Sequence, residues 1–260
     1  MLQFQFILPP FLLLAFIGGC VALFFLLFRI EKFDMKFSHM IIMVILCVVG
    51  VVIGARMMSI ASRTTWLLAN ASLSNLVLLI ITGGMVFYGG LFGFLWAIRI
   101  YAKFSNYESK NLYCLIAPAI PLFHGFGRIG CFLAGCCYGR YLATPLTLIG
   151  EMEIDKIPVQ ITESIFNFAL FITIIILEKK SSDWDALRFY LLSYAIFRFA
   201  IEFLRGDEVR GFAVVLSTSQ WISLIIMFYY TVVGIKYLLS KPIDLVNAGV
   251  LVNDKEIDGE

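Results

Sequence analysis

Residues 7–28 read Ile7-Leu8-Pro9-Pro10-Phe11-Leu12-Leu13-Leu14-Ala15-Phe16-Ile17-Gly18-Gly19-Cys20-Val21-Ala22-Leu23-Phe24-Phe25-Leu26-Leu27-Phe28, without a single charge. A run of about 20 apolar residues crosses the hydrocarbon of a bilayer as a helix, which satisfies its own backbone where no water can. Six further runs follow, near 39–58, 75–98, 112–137, 160–178, 187–204 and 221–239. The expectation is an all-α integral membrane protein of seven transmembrane helices. It forms a single helical domain over 1–240, followed by a polar tail over 241–260. Composition agrees, since 61% of the 260 residues are apolar and only 15% are charged. Soluble domains sit near half apolar and a quarter charged. The 20 basic and 18 acidic residues nearly cancel to +2, which leaves no basic face for nucleic acid.

The loop charges orient the bundle. Arg128 and Arg198 fall inside spans and are set aside. The loops after spans 1, 3 and 5 together with the tail then carry 12 basic residues, against 6 on the other side. The positive-inside rule places the N-terminus outside and the C-terminus in the cytoplasm. Ile17-Gly18-Gly19-Cys20 is similar to a lipoprotein cleavage box. Met1–Phe6 lacks a basic leader, however, and the apolar run continues past Cys20, so the segment reads as a retained helix.

Ionisable residues inside spans are costly and point to function. Span 4 holds His124 and Arg128, span 5 opens with Gln160 and Glu163, and span 6 holds Arg198 and Glu202 with Arg205 at its end. Arg198, Glu202 and Arg205 lie at i, i+4 and i+7 and share one helix face. Mutual neutralisation inside the bundle is one reading. Yet three guanidiniums face two carboxylates, and the planar guanidinium fork suits the oxygens of a phospholipid phosphate. Arg205 can instead snorkel to the headgroups.

Glycine clusters at Gly83-Gly84, Gly89-Gly90 and Gly93, and again at Gly125, Gly127, Gly130, Gly135 and Gly139, after Pro118 and Pro121. Small residues four apart permit close helix packing; the alternative is a groove kept open beside Arg128 for a headgroup. Proline inside span 4 bends it and frees carbonyls. Cys131, Cys136 and Cys137 crowd together, but His124-x6-Cys131-x4-Cys136-Cys137 matches no familiar zinc spacing. Apolar filler, a disulfide and a reactive thiol all remain open; no metal and no soluble cofactor are expected.

Four stretches, in order, resemble bacterial prolipoprotein diacylglyceryl transferases. They are Tyr88-Gly89-Gly90-Leu91-Phe92-Gly93, then Gly127-Arg128-Ile129-Gly130-Cys131-Phe132 with Tyr138-Gly139-Arg140, then Pro158-Val159-Gln160-Ile161-Thr162-Glu163, and finally Phe197-Arg198 through Glu202-Phe203-Leu204-Arg205. The signature-bearing part covers roughly 85–225. The resemblance implies a multi-pass enzyme of the bacterial plasma membrane. It would move the diacylglyceryl group of phosphatidylglycerol to the lipobox cysteine of a prolipoprotein signal peptide, releasing glycerol 1-phosphate.

In that reading Arg128, Arg198 and Arg205 hold the phosphate, with Gly127, Gly130, Gly89 and Gly90 around it. Glu202 orients Arg198, while Gln160, Glu163, Cys131, Cys136 and Gly139 support the site. The sequence also departs from the family. Tyr88 stands where the family has histidine, Cys131 and Ala134 where it has asparagines, Cys136 where it has glutamate, and Phe11 where the first span has tyrosine. His124, one turn before Arg128, is a candidate base, and Tyr88 joins Arg128, Arg198, Glu202 and His124 as a candidate catalytic residue. Two alternatives follow: the same lipid donor with a different acceptor, or a non-catalytic phospholipid-binding protein.

Overall fold

A computed structural model describes residues 9–61, 63, 72–82, 86–147, 153–180, 185–206, 212–213 and 216–240. The expected tail at 241–260 and Gly83-Gly84 lie outside the described residues. The helices are α1 (Pro10–Leu27), α2 (Phe37–Ala61), α3 (Leu73–Thr82), α4 (Phe87–Phe104), α5 (Ser109–Ile116), α6 (Ala119–Leu133), α7 (Val159–Lys180), α8 (Ala186–Ile201) and α9 (Thr218–Ser240). Among the described residues, five stretches are long and apolar enough to cross a membrane: Pro10–Leu27, Phe37–Ala61, Ser109–Leu133, Val159–Lys180 and Thr218–Lys236. The other two expected spans are helical but do not meet both conditions: α4 is as long as α1 but carries Arg99 and Lys103, and α8 is shorter. The third is represented by α3 and α4, and the sixth by α8, which has 16 residues.

Two small hairpins depart from an all-helical expectation. Strands β1 (Tyr141–Thr147) and β2 (Glu153–Lys156) pair antiparallel in the loop after α6, with Tyr141 opposite Lys156. Strands β3 (Phe212–Ala213) and β4 (Leu216–Ser217) pair before α9. The first hairpin continues into a three-way junction. Gly139 N–H donates to Ile157 C=O at 2.9 Å, Arg140 N–H to Leu204 C=O at 2.9 Å, and Gly206 N–H to Tyr138 C=O at 3.1 Å. The end of α6, the start of α7 and the end of α8 are thereby tied at one end of the bundle. Gly139 permits this, because a Cβ there would lie 2.6 Å from the Ile157 carbonyl oxygen.

Glycine sets the helix spacing elsewhere. A Cβ on Gly89 or Gly93 of α4 would collide with the carbonyl oxygens of Gly54 and Gly50 of α2, and Gly54 in turn meets Gly89. Both helices therefore carry small residues four apart on the facing side, which brings their backbones into contact. Gly130 of α6 meets Phe11 and Leu14 of α1, each at 3.1 Å. Gly125 meets the Phe168 ring of α7 at 2.7 Å.

Proline divides the expected fourth span into α5 and α6. Pro118 precedes α6 and has no N–H to offer back to Cys114, so carbonyls near the break lose their helical partners. Arg29, at the end of α1, takes them: Nη2 donates to Cys114 C=O at 2.9 Å and Nε to Leu115 C=O at 3.0 Å. The same guanidinium forks onto Glu178 of α7, with Nη1–Oε2 at 2.8 Å and Nη2–Oε1 at 3.0 Å. Arg29 is buried. It is a clamp at the end of the bundle opposite the hairpin junction.

Candidate active site

The site is assembled from ends that point the same way, namely the C-terminal turns of α6 and α8 and the N-terminal turns of α4, α7 and α9. Glu163, one turn into α7 and only 2% exposed, stands at its centre. Its Oε1 accepts from Arg128 Nη2 of α6 at 2.9 Å and from the Tyr194 hydroxyl of α8 at 2.7 Å. Its Oε2 faces Arg198 Nη1 at 3.7 Å. Arg198 Nη2 lies 2.8 Å from Glu202 Oε2, which also lies 3.8 Å from Arg205 Nη1. The result is an alternating ladder, Arg128–Glu163–Arg198–Glu202–Arg205, buried along its length.

The order follows from helix periodicity. Tyr194, Arg198 and Glu202 recur every four residues on one face of α8 and its terminal turn, so they face α7 together. A ladder of five charges carries one net positive charge. Moreover, buried Arg198 Nη1 has no hydrogen-bond partner among the described residues. A buried guanidinium N–H without an acceptor is costly and well suited to a phosphate oxygen.

His124 joins the ladder through Arg128. Arg128 Nε can only donate, so its 3.2 Å contact with His124 Nε2 makes that nitrogen an acceptor and puts the imidazole proton on Nδ1. The ring stacks on Phe87 at 4.2 Å. The lone pair that a base would use is thus engaged by Arg128. Tyr88 sits nearby but makes no hydrogen bond to the ladder; its hydroxyl pairs with Ser223 of α9 at 2.7 Å. Gln160 donates to the Cys136 carbonyl at 2.7 Å and holds the loop after α6 against α7.

The glycines divide by surroundings. Gly127 has open space where a Cβ would be, one residue before Arg128. Gly130 faces α1, while Gly89 and Gly90 face α2. Tyr194, Ser219 and Ser223 join the site without having been singled out for it. Ser219 Oγ lies 3.4 Å from Arg198 Nη2, and Ser223 donates to the Ser219 carbonyl at 2.9 Å. Tyr194 could have been found from its place one turn before Arg198; the serines belong to Ser219-Gln220-Trp221-Ile222-Ser223, which continues the resemblance beyond Arg205, and their place depends on how α9 docks.

Comparison with known proteins shows the family of the chain. The family model described as prolipoprotein diacylglyceryl transferase matches residues 5–236, nearly the whole helical part. The chain belongs to this family. A phosphatidylglycerol–prolipoprotein diacylglyceryl transferase of Clostridium tetani is 33% identical over 203 residues, covering 75% of this chain and 80% of the relative. A second enzyme of that name, from Clostridium perfringens, is 33% identical over 190 residues, 70% and 73% of the two chains. One from Cupriavidus metallidurans is 35% identical over 150 residues, 55% of each. Family membership covers all five ladder residues and the glycine-paired α2 and α4 alike.

Proposed function

We propose that this protein transfers the diacylglyceryl group of phosphatidylglycerol to the lipobox cysteine of a prolipoprotein. The ladder is the observation that carries the reading: three buried guanidiniums, two carboxylates and one guanidinium nitrogen, Arg198 Nη1, without an acceptor among the described residues. Arg128 and Arg198 hold the lipid phosphate from two sides, and Glu163 and Glu202 fix their orientation so that neither folds back on itself. The acceptor sulfur attacks the glycerol carbon that bears the phosphate. A C–S bond forms, the C–O bond to phosphate breaks, and its electron pair goes to the departing phosphate oxygen. The thiol proton ends on the released glycerol 1-phosphate. Charge grows on the leaving oxygens in the transition state, where preorganised guanidiniums stabilise it most. Holding two membrane-embedded reactants at one site also converts their encounter into a step within one complex.

Seven spans, with the N-terminus outside, place the ladder and both hairpins at the outer face of the bacterial plasma membrane. The single helical domain then spans 1–240, with the 241–260 tail in the cytoplasm. Arg29 and Glu178 fall at the cytoplasmic end in this orientation, and their loops carry the basic excess. Complementation of a strain lacking its own transferase tests the activity. Growth and lipoprotein maturation are expected with the wild-type chain and neither with Arg198→Ala expressed to the same level. Labelling of single introduced cysteines by an impermeant reagent tests the topology, with position 144 expected to react from outside and position 32 not.

A further inference from the structure

Cys131, Cys136 and Cys137 adopt an arrangement that their spacing does not announce. Neighbouring residues in regular backbone project to different sides, which is why an adjacent pair seldom serves one ion. Here Gly135 (φ 66°) and Cys137 (φ 58°) are both left-handed, so the chain folds back on the end of α6. The Cys136 N–H donates to the Cys131 carbonyl at 3.1 Å. The three sulfurs consequently lie within 4.8 Å of one another, and none is in a disulfide. A left-handed non-glycine residue is uncommon and invites an explanation. Convergence of three thiols on one point supplies it.

We infer that Cys131, Cys136 and Cys137 form a three-thiolate site for a thiophilic metal ion of the zinc(II) class. Zinc–sulfur bonds of about 2.3 Å in tetrahedral geometry set sulfurs roughly 3.8 Å apart, so a contraction of about an ångström closes the site. Each thiol gives its proton to solvent on binding. Three thiolates and a divalent ion leave one negative charge, within electrostatic reach of Arg128 and Arg205. Cys136 is exposed, which gives the ion an aqueous path. Three protein ligands leave a fourth position open, as in catalytic zinc sites. A thiol fits that position as thiolate. This last step rests on the proposed transfer to a lipobox cysteine, and it gives a role to cysteines standing where the resembled family has asparagine and glutamate.

The test is zinc binding by the reduced, full-length protein in detergent, in competition with a chromophoric chelator. One zinc per chain is expected, with affinity lowered in Cys136→Ser and in Cys137→Ser by more than the roughly 10- to 100-fold that loss of an outer-shell partner costs. Both variants are checked for unchanged elution and thermal unfolding. The cobalt(II) form is expected to show sulfur-to-metal charge transfer that changes on adding a lipobox peptide but not its serine analogue. Absence of stoichiometric zinc, or zinc retained by both variants, overturns the site. A reversible loss of two thiols on mild oxidation, with no metal bound by the reduced protein, assigns a disulfide and also overturns it. A cobalt spectrum indifferent to the peptide overturns the fourth ligand alone. None of these readouts needs turnover, so a failed metal site and a failed transferase are told apart.

Discussion

Arg198 Nη1 stops 3.7 Å from Glu163 Oε2, beyond hydrogen-bond reach, while Nη2 of the same guanidinium lies 2.8 Å from Glu202. Glu163 spends its other oxygen on Arg128 and Tyr194. Arg198 is therefore held in place by one carboxylate and left partly unsatisfied by the other. An anion that enters between Arg128 and Arg198 completes the set without dismantling it.

Glu163→Gln should unlock both guanidiniums at once. Breaking a buried ion pair by removing one partner costs about 3–5 kcal/mol. Thermal unfolding in detergent should fall accordingly, and diacylglyceryl transfer should drop by more than about 100-fold, the rate equivalent of 3 kcal/mol. Retained transfer with lowered stability would make Glu163 purely structural.

Tyr194→Phe removes one hydrogen bond to a buried carboxylate and little else, at a cost of about 1.5–3 kcal/mol. The variant should fold, bind lipid, and turn over roughly 10- to 100-fold more slowly. The comparison with Glu163→Gln in one assay separates orientation of the carboxylate from its charge.

His124→Ala distinguishes positioning from base catalysis. The imidazole accepts from Arg128 and stacks on Phe87, so its loss should loosen Arg128 and lower turnover while the shape of the pH–rate profile is unchanged. Loss of the acidic limb of the profile in this variant would restore the imidazole as the base.

Arg29→Ala should destabilise the protein by up to about 3–5 kcal/mol, because it takes from half-buried Glu178 its two-pronged partner, leaving only Lys32 at 3.9 Å, and strips two carbonyls of their donor. Replacing both members, as Arg29→Met with Glu178→Leu, should recover part of that loss. Equal unfolding temperatures for wild type and Arg29→Ala would contradict the clamp.

The helices were legible because lipid allows few alternatives. The run at 7–28 became Pro10–Leu27, and the run at 160–178 became Val159–Lys180. The prolines were read as a bend within one span and Pro118 instead divides it in two; the pairing of Arg198 with Glu202 four residues on was legible. Glu163 as the hub was not, since its partners come from α6 and α8 and no local pattern joins them. Arg29 reads in sequence as a loop charge that sets orientation; only the docking of α1 on α5 and α7 buries it. Gly89 and Gly127 look alike in sequence and differ in what faces them. One meets a backbone and the other meets open space. The three cysteines converge through two left-handed residues, and spacing rules built on regular backbone do not anticipate such turns.

The most direct measurement of the central claim is transfer from radiolabelled phosphatidylglycerol to a lipobox peptide by purified protein, with glycerol 1-phosphate counted in the same reaction. Transfer by the ladder predicts one glycerol 1-phosphate per thioether-linked peptide for the wild type and neither product from Arg128→Ala or Arg198→Ala. Glycerol 1-phosphate released without peptide labelling, or full transfer by either arginine variant, would contradict it.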